Sequence, residues 1–115
     1  MDNRMNTLKL CTFDDIPKNY TGAIEWDDDS ISYRKNGKLH KEDGPAHIRE
    51  DGVKFWDLDG VFIWDSNDIL DLTNQIILSK TQHPLYPTVQ VWKILDKNGL
   101  REQIKIPGME EFIIG

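Results

Sequence analysis

The side chains best suited to acid–base or metal chemistry are three histidines, His40, His47 and His83. His40 and His47 lie seven residues apart, and Asp43 between them is close enough in sequence to orient one imidazole. Histidines beside carboxylates serve as metal ligands or general bases, so one hypothesis is a small metal-dependent hydrolase that uses His40 and His47. No H-E-x-x-H or H-x-H spacing supports that hypothesis.

Other reactive groups lack the sequence settings that catalysis needs. The single cysteine, Cys11, has no flanking signature, and no serine stands in a G-x-S-x-G motif. Phosphate-binding patterns of the G-x-x-x-x-G-K-[ST] and G-x-G-x-x-G kinds do not occur in the sequence either. The sequence therefore predicts a non-enzymatic protein with no catalytic residue, no metal site and no cofactor.

The composition is acidic, with a net charge of −6 and a pI of about 4.9 over 115 residues. Contacts to phosphate need Lys and Arg, so neither direct nucleic-acid binding nor attraction to an anionic membrane is expected. The N-terminus has no signal-like apolar core, no stretch approaches the ~20 apolar residues of a membrane helix, and a lone cysteine suits a reducing compartment. These features predict a cytoplasmic protein, located in the host cell if its source is viral.

The negative charge is concentrated between residues 25 and 71, which contain 13 Asp or Glu against 6 Lys or Arg. The densest run is Asp27, Asp28 and Asp29. Turns favour Asp for conformational reasons, which accounts for part of this pattern. The functional interpretation is an acidic surface for a protein partner with a basic site. Its narrower form is a nucleic-acid mimic that blocks a DNA- or RNA-handling enzyme.

Turn signals recur along the chain with a period of 23 residues. A shift of 23 superimposes Asp28-Asp29 on Asp51-Gly52, Tyr33 on Trp56, Asn36-Gly37 on Asp59-Gly60, and Leu39 on Phe62. The N-G and D-G pairs predict β-hairpins, because a type I′ turn needs two central residues with positive φ. In Asp43-Gly44-Pro45, Gly44 can take left-handed geometry and Pro45 has no amide to donate, which predicts a corner or the start of an edge strand.

The fold class predicted from these signals is mainly β, or α+β, in a single domain of residues 1–115. Strands are expected within 6–13 and near 22–26, 30–35, 38–40, 46–49, 53–58 and 61–65. This repeat region, 22–65, is followed by an α/β segment, 66–115. There the spacing of Ile69, Leu72 and Ile76 predicts a short helix within 68–80, started by Ser66 or Asp71, with a buried strand at 76–78 as the alternative. A hairpin of Thr88–Leu95 and Leu100–Ile106 and a docked apolar tail at 109–114 complete the prediction.

The run N-G-K-L-H-K-E-D-G-P-A at residues 36–46, with Asp51-Gly52, Trp56 and Asp59-Gly60 after it, fits the pattern W-Y-x-N-G-x-x-H-R-x-D-G-P-A. Residues 22–64 thereby resemble the MORN-like variant repeats of uncharacterised phage, large-virus and bacterial proteins. The resemblance implies a β-hairpin array with a scaffold or binding role. It also implies that His40 hydrogen-bonds the backbone of the D-G-P turn. It does not cover residues 71–115.

Aromatic residues recur at the repeat positions, and most are expected to pack in a core. Phe55 and Trp56 are adjacent and must point to opposite faces of a strand, so one of them is available to a partner or to the C-terminal half. The surface residues predicted to bind are Asp27, Asp28, Asp29, Tyr33, Trp56 and Trp64. The leading hypothesis is a protein-binding module, an accessory protein of a phage, virus or mobile element that inhibits a host (defence) protein. Homo-oligomers are a further option, since a hairpin array leaves open edge strands.

Overall fold

The structure, a computed structural model, describes residues 7–115, which form two compact units. The first consists of the described residues up to Lys41 together with Pro45–Asp65, and the second of Glu42–Gly44 and Ser66–Gly115. The predicted mainly β class is confirmed, and no α-helix forms within residues 7–115. The boundary after Asp65 coincides with the end of the predicted repeat region. The assignment of the chain to a single domain stays a prediction.

A seven-stranded sheet builds the first unit. Its strands are β1 (Thr7–Leu10), β2 (Gly22–Trp26), β3 (Ile31–Lys35), β4 (Lys38–Leu39), β5 (His47–Ile48), β6 (Lys54–Leu58) and β7 (Val61–Asp65), with a 3-10 turn at Phe13–Asp15. The order across the sheet is β1-β2-β3-β5-β6-β7, and β4 also pairs with β3. β1 is parallel to β2, and every other pairing is antiparallel. The strands predicted from residue 22 to residue 65 are confirmed to within a residue or so at their ends.

The 23-residue period is visible in the backbone of the loops that join β2 to β3 and β5 to β6. The amide of Trp26 donates to the carbonyl of Ser30, and the amide of Arg49 donates to that of Val53, both at 2.9 Å. In each loop the last residue has positive φ, 70° at Asp29 and 89° at Gly52. Both loops are therefore three-residue hairpin connections with a bulge. The hairpin predicted at Asp51-Gly52 is confirmed, although only its glycine has positive φ.

The other turns of the repeat are the predicted type I′ hairpins. Asn36 and Gly37 have φ of 52° and 81°, and Asp59 and Gly60 have φ of 51° and 81°. The residue before each glycine has its amide bound by a side chain from an earlier part of the chain. Thr21 Oγ1 accepts from the amide of Asn36 at 2.9 Å, and His40 Nδ1 accepts from the amide of Asp59 at 3.0 Å. The sequence separations are 15 and 19 residues, because Thr21 and His40 do not occupy equivalent positions of the 23-residue repeat.

The H-K-E-D-G-P-A segment, residues 40–46, begins at the second of these acceptors. The amide of His40 donates to the carbonyl of Tyr33, and the carbonyl of Ala46 accepts from the amide of Tyr33. The chain therefore leaves the sheet after His40 and re-enters it at Ala46, which is fully buried. Gly44 does not use the left-handed geometry that is open to glycine, because its φ is not positive. The loop between His40 and Ala46 leaves the sheet and returns to it without a tight turn at Gly44, so no positive φ is needed there.

Five strands build the second unit: β8 (Leu70–Asp71), β9 (Ile76–Gln82), β10 (Gln90–Asp96), β11 (Gly99–Lys105) and β12 (Ile113–Ile114), with a 3-10 turn at Met109–Phe112. The C-terminal hairpin is confirmed as β10 and β11, which pair in antiparallel register across Asp96↔Gly99. The apolar tail is also docked as predicted, since Met109 is fully buried and β12 pairs with β8.

The helix predicted within residues 68–80 is wrong, because β8 and β9 occupy that segment. The carboxylate of Asp71 accepts from the amide and the hydroxyl of Thr73, which closes a turn instead of capping a helix. Leu72 is buried, but Ile69 and Ile76 are each 59% exposed, so the three do not share a buried face. The β-branched residues of β9 instead pair with β10.

Candidate functional site

Phe55 and Trp56 of β6 point to opposite faces of the first unit's sheet. Trp56 is fully buried, whereas Phe55 is half-buried and lines an open pocket. The prediction of Trp56 as a surface binding residue is therefore wrong. The alternation was anticipated correctly, and the available aromatic ring is that of Phe55.

Two pockets adjoin on the face to which Phe55 belongs, because both are lined by His47 and Arg49. The first has a volume of about 280 Å³ and is lined by Cys11, Phe13, Trp26, Asp27, Asp28, Ser30, His47, Arg49 and Glu50. The second has a volume of about 230 Å³ and is lined by Leu39, His47, Arg49, Phe55, Asp57 and Phe62. We call the surface formed by Phe13, Trp26, His47, Phe55 and Phe62 the aromatic groove.

A hydrogen-bonded chain across three strands fixes the middle of the aromatic groove. The indole Nε1 of Trp26 donates to Ser32 Oγ at 2.9 Å, and Ser32 Oγ lies 2.7 Å from His47 Nδ1. The Ser32 hydroxyl can donate its hydrogen to Nδ1 when the neutral imidazole carries its own hydrogen on Nε2. Burial lowers the pKa of His47, which favours the neutral ring that accepts this hydrogen. The rings at either end also touch, with centroids 5.0 Å apart for Phe13–Trp26 and 5.7 Å apart for His47–Phe55.

Carboxylates gather at one end of the same sheet. The pairing of Ile31 with Ile48 places the β2–β3 and β5–β6 loops side by side, and both loops are acidic. We call this group the acidic end, which consists of Asp15, Asp27, Asp28, Asp29, Glu50 and Asp51. Asp27 and Asp28 line the aromatic groove, whereas Arg49 is held by Asp51 in an ion pair of 2.6 Å.

The three aspartates predicted to bind have different local roles. Asp28 accepts from both the amide and the hydroxyl of Ser30, and these bonds lower the pKa of its carboxyl group. The negative charge of Asp27 and its hydrogen bond with the thiol raise the pKa of Cys11. Asp29 occupies the positive-φ position of its loop and is exposed. Asp27 and Asp28 therefore face the groove, and Asp29 belongs to the outer surface of the loop.

The other two predicted surface residues, Tyr33 and Trp64, line neither pocket of the aromatic groove. Both are half-buried. The ammonium group of Lys41 lies 4.2 Å from the centre of the Tyr33 ring. Trp64 stands opposite the buried Trp56, and its indole nitrogen is buried without a hydrogen-bond partner in the part of the chain that the structure describes. These residues are not brought together with the aspartates.

His40 is not part of the groove. It is buried, and its Nδ1 accepts from the amide of Asp59, whose carboxylate oxygen lies farther away at 3.4 Å. This turn is the D-G turn of the next hairpin, so His40 binds the Asp59-Gly60 turn through Nδ1, and its expected bond to the D-G-P turn stays a prediction. Within residues 7–115, no three His, Cys, Asp or Glu side chains converge in a group able to hold a metal ion. His40 and His47 are thus in different settings, one at a turn and the other in the groove.

Sequence reasoning did not identify Phe13, Asp57 and Phe62 as site residues, and it left open whether Phe55 or Trp56 was the available ring. Phe55 and Asp57 could have been found from the alternation of β6, since residues two apart share a face once Trp56 is assigned to the core. Phe62 depends on an irregularity between Trp56 and Asp57 that places it opposite Asp57. No sequence signal marks such an irregularity.

Comparison of the chain with protein-family models, with curated protein sequences and with solved structures finds no match. The resemblance of residues 22–64 to MORN-like variant repeats therefore stays a prediction. In the part of the chain that the structure describes, no helix is long and apolar enough to cross a membrane.

Proposed function

We propose that this chain is a non-enzymatic protein-binding module that holds a basic segment of a partner protein in the aromatic groove. The observation that carries the proposal is the combination of partly exposed aromatic rings with carboxylates along one wall of the same groove. Aromatic residues contribute large contact area at protein interfaces. Cationic side chains are attracted both to carboxylates and to the faces of aromatic rings.

The charge distribution supports a basic partner. The acidic end adds its negative potential at one mouth of the groove, and the ion pair with Asp51 limits the opposing effect of Arg49. Complementary charge speeds the encounter of two proteins and disfavours acidic competitors. A segment with several Lys or Arg side chains is therefore the partner that this surface fits best.

The setting of the groove hydroxyl favours binding over hydrolysis. Ser32 lies beside His47, as a nucleophile lies beside its base, but its side chain is almost fully buried. Its oxygen also accepts the indole hydrogen of Trp26, which reduces its availability as a nucleophile. The pair is better suited to holding Trp26 and His47 in place than to attacking a substrate.

On the resemblance alone, the proposal extends to an accessory protein of a phage, virus or mobile element that acts in the host cytoplasm. The partner is then a host protein, such as a defence protein, which the module inhibits by covering a basic site. Such inhibition needs no chemistry, because occupation of the site is sufficient.

The test begins with partner capture from a host lysate and continues with the dissociation constant of the purified partner. Phe55→Ala is the groove variant, and Leu100→Ala, which removes a side chain 62% exposed in the second unit, is the matched control. We expect Phe55→Ala to weaken binding about tenfold or more and Leu100→Ala to leave it unchanged. Equal effects of the two substitutions on the dissociation constant would contradict the groove as the binding surface.

A nucleic-acid mimic is the alternative that the acidic end favours, since its carboxylates come from two neighbouring loops and the adjacent 3-10 turn. A mimic loses affinity steeply with rising salt, and charge reversal of Asp27, Asp28 and Asp29 abolishes its binding. If binding survives charge reversal of Asp27, Asp28 and Asp29 and is lost in Phe55→Ala, mimicry is wrong. The two sets of variants therefore separate the two functions.

A further inference from the structure

Asp57 presents its carboxylate to the aromatic groove, where no side chain among the described residues pairs with it. Asp57 is only 7% exposed, and among residues 7–115 its side chain has no hydrogen-bond or ion-pair partner. Burial of most of the residue raises the pKa of this carboxyl group, because its charge is partly shielded from water and no ion pair compensates it. This carboxylate lines the smaller pocket of the groove, which is open to solvent. A group from outside the chain can therefore supply the missing partner.

The walls of this pocket are set by the strand register. Phe55 and Asp57 lie two residues apart on β6 and share a face, and Phe62 stands opposite Asp57 on β7. The carboxylate consequently lies beside two aromatic side chains, one half-buried and the other 55% exposed. Leu39 adds an aliphatic wall. The pocket combines one acceptor group with apolar and aromatic surface.

We infer that the pocket receives the guanidinium group of an arginine side chain from the partner segment, which pairs with Asp57 between Phe55 and Phe62. A guanidinium is planar and donates two parallel hydrogen bonds to a carboxylate while its face stacks on aromatic rings. It is also hydrated more weakly than an ammonium group, so it enters a partly apolar pocket at lower cost. The inference rests on the proposed function, because it identifies the side chain that the groove recognises.

The size of the pocket and its remaining charges agree with this occupant. Its volume of about 230 Å³ is below the roughly 300–1,000 Å³ usual for small-molecule sites and suits the end of one side chain. The two basic residues in its lining are His47 and Arg49. Burial lowers the pKa of His47 and favours its neutral form, and Arg49 is paired with Asp51. Neither one supplies Asp57 with the ion pair that it lacks.

The test uses the full chain and a small probe, N-acetyl-arginine amide, titrated while amide resonances are followed by NMR. The neutral isostere N-acetyl-citrulline amide is the control ligand. We expect saturable millimolar binding of the arginine probe, with shifts centred on residues 55–62, and no saturable shift with the citrulline probe. Asp57→Asn should weaken binding by about tenfold to 100-fold, because it removes a charge-assisted pair. Glu102→Gln, which removes an exposed carboxylate of the second unit outside both pockets, should leave binding unchanged.

Equal binding of the two probes, shifts centred outside the pocket, or unchanged affinity in Asp57→Asn would each overturn the inference. The amide spectrum shows whether each variant is folded, and Phe62→Leu provides a second test that retains bulk but removes the ring. If the arginine probe fails while partner binding still depends on Phe55, the pocket assignment fails and the proposed function stands. If the probe binds but no partner depends on the groove, the proposed function fails instead.

Discussion

Truncation of two adjacent aromatic residues should separate folding from binding in the first unit. Trp56 is fully buried, and its neighbour Phe55 is half-buried in the wall of the groove. The substitutions are Trp56→Ala and Phe55→Ala, each in the full chain. We expect the first to lower the free energy of unfolding strongly and the second to act mainly on partner binding.

The expected magnitudes follow from burial. Removal of a fully buried tryptophan costs about 3–5 kcal/mol, because apolar contacts are lost and a cavity remains. That cost is a large fraction of the roughly 5–15 kcal/mol by which domains are stable. Phe55 already exposes part of its ring to water, so its truncation should cost about 1 kcal/mol. The difference between the two variants is therefore expected to be about 2–4 kcal/mol.

Urea denaturation followed by far-UV circular dichroism measures both values without relying on tryptophan fluorescence. With a slope of about 2 kcal/mol per molar urea, Trp56→Ala should lower the midpoint by about 2 M, and Phe55→Ala by about 0.5 M. Trp56→Phe, which retains an aromatic ring, should fall between wild type and Trp56→Ala. A Trp56→Ala midpoint equal to that of Phe55→Ala would refute the assignment of the two rings to a buried and an open face.

Four further outcomes follow from individual side chains. Burial lowers the pKa of His47, so its contribution to stability is present above pH 6.5 and is lost as the pH falls through the pKa of the folded state. The free energy of unfolding should therefore change less with pH in His47→Asn than in the wild type. Burial raises the pKa of Asp57, so its contribution to stability is present below pH 3.8 and is lost as the pH rises through the pKa of the folded state. At pH 7, Asp57→Asn should therefore raise the free energy of unfolding by about 1 kcal/mol. The carboxylate of Asp27 raises the pKa of the Cys11 thiol, so Asp27→Asn should accelerate alkylation by iodoacetamide at pH 8. Gly60 has φ of 81°, and Gly60→Ala should cost about 1–2 kcal/mol in thermal unfolding.

The strands of the first unit could be predicted because local signals agreed with one another. Asn36-Gly37 and Asp59-Gly60 fixed two turns, and the short runs between turns allowed little but strands. The segment after Ser66 has no such turn signals, so the spacing of Ile69, Leu72 and Ile76 was compatible with a helix. The segment forms a strand because β9 pairs with β10. A contact between distant parts of the chain cannot be recognised from the local sequence.

The candidate site was less predictable, because it depends on which face of each strand is covered. Of the conspicuous aspartates at 27–29, Asp27 and Asp28 line the groove and Asp29 does not. The aromatic residues of the groove could be assigned only from the burial of Trp56, the strand register of Phe62 and the contact of Phe13 with Trp26. Each of these arises from the packing of distant parts of the chain. Composition and spacing identify such residues as apolar but do not assign them to a core or to a surface.

The two copies of the repeat share the residues that form the turns and differ in the side chains that they place on the groove face. At the turns, equivalent positions keep their roles, since Asp28 and Asp51 each accept from the amide two residues further on. On the groove face, equivalent positions differ in chemistry: Ile24 and His47, Ser32 and Phe55, Arg34 and Asp57. Arg34 donates to the carbonyl of Gly37 within its own hairpin, whereas the carboxylate at the same place in the second copy has no partner within residues 7–115. One backbone position thus has a folding role in one copy and an unpaired charge in the other, which is the difference expected if the second copy has been adapted to a ligand.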